Sequence, residues 1–323
     1  MAILVTGAAG FIGSYVVRAL LDRGERVIGI DNLNDYYDVN LKRARLELIG
    51  HNRHFDFHQI DIADKVAVFA VMQANPDIAG IVHLAAQAGV RYSLINPFAY
   101  IQANVLGHTV MVEGARKLER LKHFVYASSS SVYGSNEVLP FSIEDRVDTP
   151  NSLYAATKRS DELISYTYAH LYGMPQTGLR FFTVYGPWGR PDMAAYIFAS
   201  RITAGEPISV FNGGEMWRDF TYVDDIVAGV ISALDRPAAG KVPHKVYNLG
   251  NHRSEKLTDY IALIESALGR TAIIEYQPMQ MGDIARTYSD ISASQRDLGF
   301  DPKTPISEGI PRFVAWYRAF HGV

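Results

Sequence analysis

A doubly wound α/β fold with a parallel central sheet is predicted from two patterns and one motif. Short apolar runs rich in Val and Ile recur through the first half, at residues 2–6, 26–30, 55–60, 80–84, 124–128 and 177–182. Longer segments with helical spacing separate them. The runs lack the period-2 alternation of a half-exposed strand, so they read as strands buried on both faces by helices. A glycine-rich turn stands between the first run and the first helical segment, where such a sheet opens toward a ligand.

Each element has its own local signal. The helical segment 11–23 follows the first run, and Gly24 stands where a helix should stop. Segment 64–73 precedes the fourth run and ends near Asn75-Pro76. Segment 97–118 precedes the fifth run, and 152–172 precedes the sixth and is closed by Gly173. Beyond Arg180 the pattern loosens, with Gly-Pro and Gly-Gly pairs punctuating 186–214. Helices are expected there at 193–204, 224–235, 258–268, 292–298 and 306–320. Residues 1–180 therefore read as the sheet domain. Residues 181–323 read mainly as a smaller α/β domain over the strand ends, with about 240–250 returning to the main sheet through the run 245–249.

Composition narrows the function. The chain has 323 residues, 48% hydrophobic and 20% charged, which is an ordinary globular balance. A formal charge of −3 suggests neither a nucleic-acid surface nor a polybasic membrane patch. Cysteine is absent, which removes disulfides, thiolate nucleophiles and Cys-ligated metals. The N-terminal apolar stretch has no basic residues before it and is broken by glycines, so it reads as a strand and turn, not a leader. No uninterrupted apolar run approaches the roughly 18 residues of a membrane span. A cytoplasmic protein is expected. His51, His54 and His58 are close in sequence, but strand spacing splits them and no metal site is expected.

The turn reads Thr6-Gly7-Ala8-Ala9-Gly10-Phe11-Ile12-Gly13. Gly7 permits a sharp turn, Gly10 a close approach to a pyrophosphate, and Gly13 tight packing of helix on strand. The helix N-terminus then favours phosphate. Asp31 ends the second run, where a carboxylate can accept from adenosine ribose hydroxyls and would repel a 2′-phosphate. NAD is the expected cofactor, in a Rossmann-like domain. Asp61 and Ile62, after the third run, are placed to frame adenine, although a plain strand-end Asp would look the same.

Tyr154 and Lys158 stand at i and i+4, so a helix would present them on one face. An ammonium beside a phenol favours phenolate, which can take a proton from a sugar hydroxyl as hydride leaves the same carbon. The pair alone carries little weight in a Tyr-rich chain. The serines 128–131 at the end of the fifth run add to it, since a hydroxyl there can share the same substrate oxygen. The plainer reading of that cluster is a polar turn.

Together these residues resemble the extended short-chain dehydrogenase/reductase family. The resemblance runs through essentially the whole chain and includes Leu179 to Pro187, Arg218 to Asp225 and Tyr247 to Gly250, which are similar to nucleotide-sugar epimerases and dehydratases. The blocks DNLNDYYD (31–38), HLAAQAGVRYS (83–93) and GRPDMA (189–194) resemble UDP-glucuronate 4-epimerases. The resemblance implies an NAD-dependent UDP-sugar 4-epimerase, commonly a homodimer. It assigns Tyr154 and Lys158 as catalytic, with Ser129 four residues before the Tyr of Val132-Tyr133-Gly134 and Ser130 as the next candidate. Phe11, Ile12, Asn32, Leu84, Ala85 and Ala86 complete the implied cofactor wall. For the UDP-sugar it implies Arg218 at the diphosphate, Thr183 at the sugar nucleotide, Arg190 on the sugar or phosphate side and Asp283 near the uridine ribose. Arg91 is a further substrate candidate, and Arg180 is either that or structural.

The family's dehydratases carry an Asp-Glu pair just after the Ser/Thr position, and its UDP-glucuronate decarboxylases a Glu. Here those positions are Ser130 and Ser131. Serine supplies no titratable acid or base at neutral pH, so oxidation and re-reduction at C4 is favoured over elimination or decarboxylation. Epimerases of UDP-glucose or UDP-N-acetylhexosamines remain the nearest alternatives.

Overall fold

A computed structural model describes residues 1–279 and 283–323. In chain order, the first half comprises β1 (Ala2–Thr6), α1 (Phe11–Asp22), β2 (Arg26–Asp31), α2 (Val39–Ile49), β3 (Phe55–Gln59), α3 (Lys65–Ala74) and β4 (Ile78–His83). Then follow α4 (Pro97–Tyr100), a π-helical segment (Ile101–Leu106), α5 (Gly107–Ala115), β5 (His123–Ser129), α6 (Leu153–Tyr172) and β6 (Gln176–Phe181). The second half comprises β7 (Thr183–Tyr185), α7 (Ala194–Ala204), β8 (Ile208–Phe211), β9 (Trp217–Arg218), β10 (Phe220–Tyr222) and α8 (Val223–Asp235). It continues with β11 (His244–Leu249), β12 (Glu255–Lys256), α9 (Leu257–Leu268), β13 (Ile274–Gln277), α10 (Ser292–Leu298) and α11 (Ile306–His321).

Seven parallel strands form the central sheet in the order β11-β6-β5-β4-β1-β2-β3. Alternate side chains of each strand enter opposite layers. Ala2 and Leu4 join Val68, Met72, Val110 and Met111 beneath α3 and α5. Ile3 and Val5 join Val16, Val17 and Leu20 of α1 and Val227 and Val230 of α8. That second core continues without a break into Phe198 of α7, Tyr260 of α9 and Phe313 of α11. The second half thus supplies a strand and a helix to the main sheet. It also builds three two-stranded pairings of its own, β10 with β7, β12 with β9 and β13 with β8.

Two segments differ from the sequence expectation. The helix expected at 97–118 is interrupted by a π-helical turn, where the buried Asn104 carboxamide bonds Gln87 and Thr157. Helix α2 had no apolar stripe to announce it, because Lys42 and Arg45 are among its buried residues. Arg45 reaches the carbonyls of Ala9, Trp188 and Gly189.

Candidate active site

Strand order reverses between β1 and β4, so their connections leave on opposite faces and a crevice opens beyond the strand ends. The glycine turn stands there. Gly7 has φ +71°, and a Cβ on it would lie 2.9 Å from the Ala85 nitrogen. A Cβ on Gly13 would overlap the Gly7 carbonyl oxygen, so β1 and α1 approach this closely only with glycine at both positions. Gly10 precedes α1, Phe11 is buried in its first turn, and Ile12 is partly buried beside it. The first-turn N–H groups of a helix point out of its end, here into the crevice.

Asp31 closes one side. Its carboxylate accepts from Ala9 N at 3.1 Å and from Leu33 N at 2.9 Å, which pins the strand end to the glycine turn. Asn32 donates to Asp61 at 3.0 Å, and Ile62 is buried against Gly107. Leu84, Ala85 and Ala86 follow β4, with Ala85 N donating to Thr6 Oγ1 at 3.1 Å. A turn with glycine at its two points of closest backbone approach, a helix N-terminus and a strand-end carboxylate in one crevice fit a dinucleotide.

The second side is built by β5 and α6. Ser152 caps α6 by accepting from Ala155 N at 3.1 Å, which sets Tyr154 and Lys158 on the first two turns. Lys158 Nζ donates to Ala127 O at 3.1 Å, two residues before Ser129, and to Asp161 Oδ2 at 3.2 Å. Helix α6 is thereby tied to β5. Ser129 Oγ accepts from Ser131 N and from Ser131 Oγ at 2.9 Å, while Ser130 begins the short turn after β5. No direct hydrogen bond joins Ser129, Tyr154 and Lys158 among the described residues.

Arg190 is partly buried and holds Asp192 through Nε at 2.9 Å and Nη2 at 2.5 Å. Burial would raise the Asp192 pKa, but the charge and bonds of Arg190 and the Tyr36 hydroxyl hold it below its ordinary value. Rings then run from Tyr36 through Tyr92 and Tyr100 to Tyr154, with centroids 4.8, 6.2 and 6.0 Å apart. Sequence reasoning missed Asp192 and Tyr36 as partners, although both lie in blocks it singled out.

Arg91 and Arg218 meet on Asp283, at 3.5 and 3.4 Å from its two oxygens. Burial pulls the Arg218 pKa below its ordinary value despite Asp283, as expected of a guanidinium short of counter-charge. Thr183 starts β7, its N–H donating to Asp219 O at 3.1 Å. Arg180 is structural. It clasps Glu162 through Nε at 2.8 Å and Nη2 at 3.0 Å, fully inside the protein. Among the described residues no group of three His, Asp or Glu gathers to hold a metal.

Comparison with known proteins adds a family to this geometry. Residues 3–250 match the model of the NAD dependent epimerase/dehydratase family. The chain is 44% identical to UDP-glucuronate 4-epimerase 3 of Arabidopsis thaliana, over 99% of this chain and 77% of that one. Its fold is similar to the crystal structure of a UDP-glucuronic acid 4-epimerase from Bacillus cereus in complex with UDP-glucuronic acid and NAD. The TM-score is 0.92 at 33% identity, covering 99% of this chain and 100% of that one. A UDP-glucose 4-epimerase from Thermotoga maritima superposes with a TM-score of 0.89 at 31% identity, covering 99% and 100%.

Proposed function

The chain belongs to the NAD dependent epimerase/dehydratase family, and we propose that it interconverts UDP-glucuronate and UDP-galacturonate at C4. The observation that carries this reading is the chemistry beside Ser129. The neighbouring Ser130 and Ser131 side chains are hydroxyls, that of Ser131 donating to Ser129 Oγ, where elimination or decarboxylation would call for a carboxyl group. NAD, when bound, would supply a hydride acceptor and donor, so that the substrate could pass through a 4-keto sugar and be re-reduced on its other face.

The chain's own residues handle the proton and the charges. Tyr154 takes the 4-OH proton and later returns it, with Ser129 sharing the hydrogen bond and Lys158 supplying the adjacent positive charge. Gly7, Gly10, Phe11, Ile12 and Gly13 receive the dinucleotide phosphates, Asp31 and Asn32 the adenosine ribose, and Asp61 and Ile62 the adenine. Leu84, Ala85 and Ala86 line the strand end between them. Arg218, with Arg91 beside it, meets the substrate diphosphate. Asp283 lies toward the uridine ribose, and Thr183, Ser130 and Arg190 lie along the sugar. The 4-keto uronate is a β-keto acid, so its carboxylate must be held with C5–C6 cleavage unfavourable. Residues 1–180 serve the cofactor and 181–323 mainly the UDP-sugar.

A cytoplasmic homodimer is part of the same proposal. Leu94, Ile95, Phe98 and Ile101 are exposed around α4, with Ile95 at 77% and Phe98 at 82%, and Leu163 and Tyr166 are exposed on the adjoining α6. A second copy would cover such a contiguous apolar face. No helix among the described residues is long and apolar enough to cross a membrane.

The test is a panel of UDP-sugars with the purified protein. UDP-glucuronate is expected to give UDP-galacturonate with a kcat/KM at least about tenfold above UDP-glucose and UDP-N-acetylglucosamine. Turnover of the neutral sugars alone would move the assignment to another 4-epimerase, and release of CO₂ would move it to a lyase.

A further inference from the structure

Asp161 is a buried carboxylate that the chemistry above does not use. It stands three residues after Lys158 on α6, so both side chains leave the same helix face. Its Oδ2 lies 3.2 Å from Lys158 Nζ, and the two side chains are 2% and 4% exposed. Its Oδ1 has no hydrogen-bond partner among the described residues. A buried carboxylate with an unpaired oxygen is costly, and helix packing alone would be better served by an apolar residue. An ammonium has three N–H donors. Those of Lys158 that reach Ala127 O and Asp161 leave one, in a single direction.

We propose that Asp161 is a positioning residue, which fixes the direction of the Lys158 ammonium and hence of the charge beside Tyr154. The proposal rests on the reading of Tyr154 and Lys158 as the proton-handling pair.

Facing Asp161 are Lys158 and Glu162 on α6, His108 on α5 and Tyr126 on β5, while His83 on β4 faces Lys158, and Arg180 on β6 and His244 on β11 face Glu162. Burial drives His83 down to about 3 and His244 to about 4, holds His108 well below its ordinary value and pushes Tyr126 well above its own. Glu162 stays below the usual range, since Arg180, Ser128 and Arg159 outweigh its burial. Asp161, by contrast, is pushed by burial to about 7 against the pull of Lys158. An ionised Asp161 anchors the ammonium more firmly than the neutral acid, whose carbonyl oxygen can still accept, so the rate should rise up to about threefold as pH rises through neutrality.

The test compares the parent, Asp161→Leu and Asp161→Asn between pH 5.5 and 9, with NAD content and melting temperature measured alongside. Asp161→Leu is expected to lower kcat about tenfold with KM within about twofold. Asp161→Asn can accept the same hydrogen bond and should recover kcat to within about threefold, while losing the inflection near pH 7. A Leu variant with parental kcat would overturn the proposal, and so would an Asn variant that keeps the parental inflection. Should the Leu variant fail to fold, the Asn profile decides. A parent inactive on every UDP-sugar would overturn the functional reading as well, whereas an active parent with unmoved variants overturns this inference alone.

Discussion

Tyr154 carries the hydroxyl on which the proposed proton transfer turns, and its removal separates chemistry from binding. Tyr154→Phe should lower turnover at least about 10³-fold while leaving KM for the UDP-sugar within a few-fold. Steady-state kinetics with a coupled product assay checks this. Arg180 illustrates the opposite kind of residue. Its bidentate pair with Glu162 lies inside the protein, so Arg180→Ala leaves that buried carboxylate with Arg159 alone as its cation. The expected loss is about 3–5 kcal/mol in urea unfolding, with no selective effect on KM. The glycines, Asp31, Tyr154 and Lys158 were legible because their meaning lies in short spacings. The contacts of Asn104 with Thr157 and of Arg45 with Trp188 join positions 53 and 143 residues apart, which no local pattern carries.

At the scale of elements, the strands of the main sheet were legible as unalternating apolar runs, because burial on both faces removes the polar partner from each pair of positions. The π-helical turn at Ile101–Leu106 was not, since it answers to Gln87 and Thr157 on other elements and not to its own sequence. Helix α2 was missed for a related reason. Its inward face is partly basic, and the partners of that face are carbonyls of distant loops. The junction of β1 and α1 depends on the missing side chain of Gly13. Gly13→Ala would force the two elements apart at the Gly7 carbonyl and should abolish retention of NAD, read as cofactor absorbance after gel filtration. A variant that keeps a full complement of NAD would contradict the site described here.

The whole molecule couples a neutral, buried histidine set to its stability. His83, His108 and His123 are each held below their ordinary pKa by burial, His83 at about 3 and His123 at about 4. Their contribution is present above the unfolded value of about 6.5 and is lost as pH falls toward the folded values. Asp161 works the other way, since its raised pKa lets the folded state take up a proton that the unfolded state refuses until lower pH. The balance favours the histidines, and stability should fall by roughly 2 kcal/mol per pH unit between pH 6 and 5. Urea midpoints at those two values check the slope. The proposed dimer is also a property of the whole molecule. Light scattering should find twice the chain mass, and Phe98→Glu should shift it toward the monomer. The central claim is transient oxidation at C4 with return of the same hydride. It is tested most directly by incubating the protein with UDP-glucuronate deuterated at C4 and following the sugar by NMR. UDP-galacturonate that retains deuterium at C4, with no CO₂ evolved, is the expected result. An epimer whose C4 deuterium has washed out to solvent, or a decarboxylated product, would contradict it.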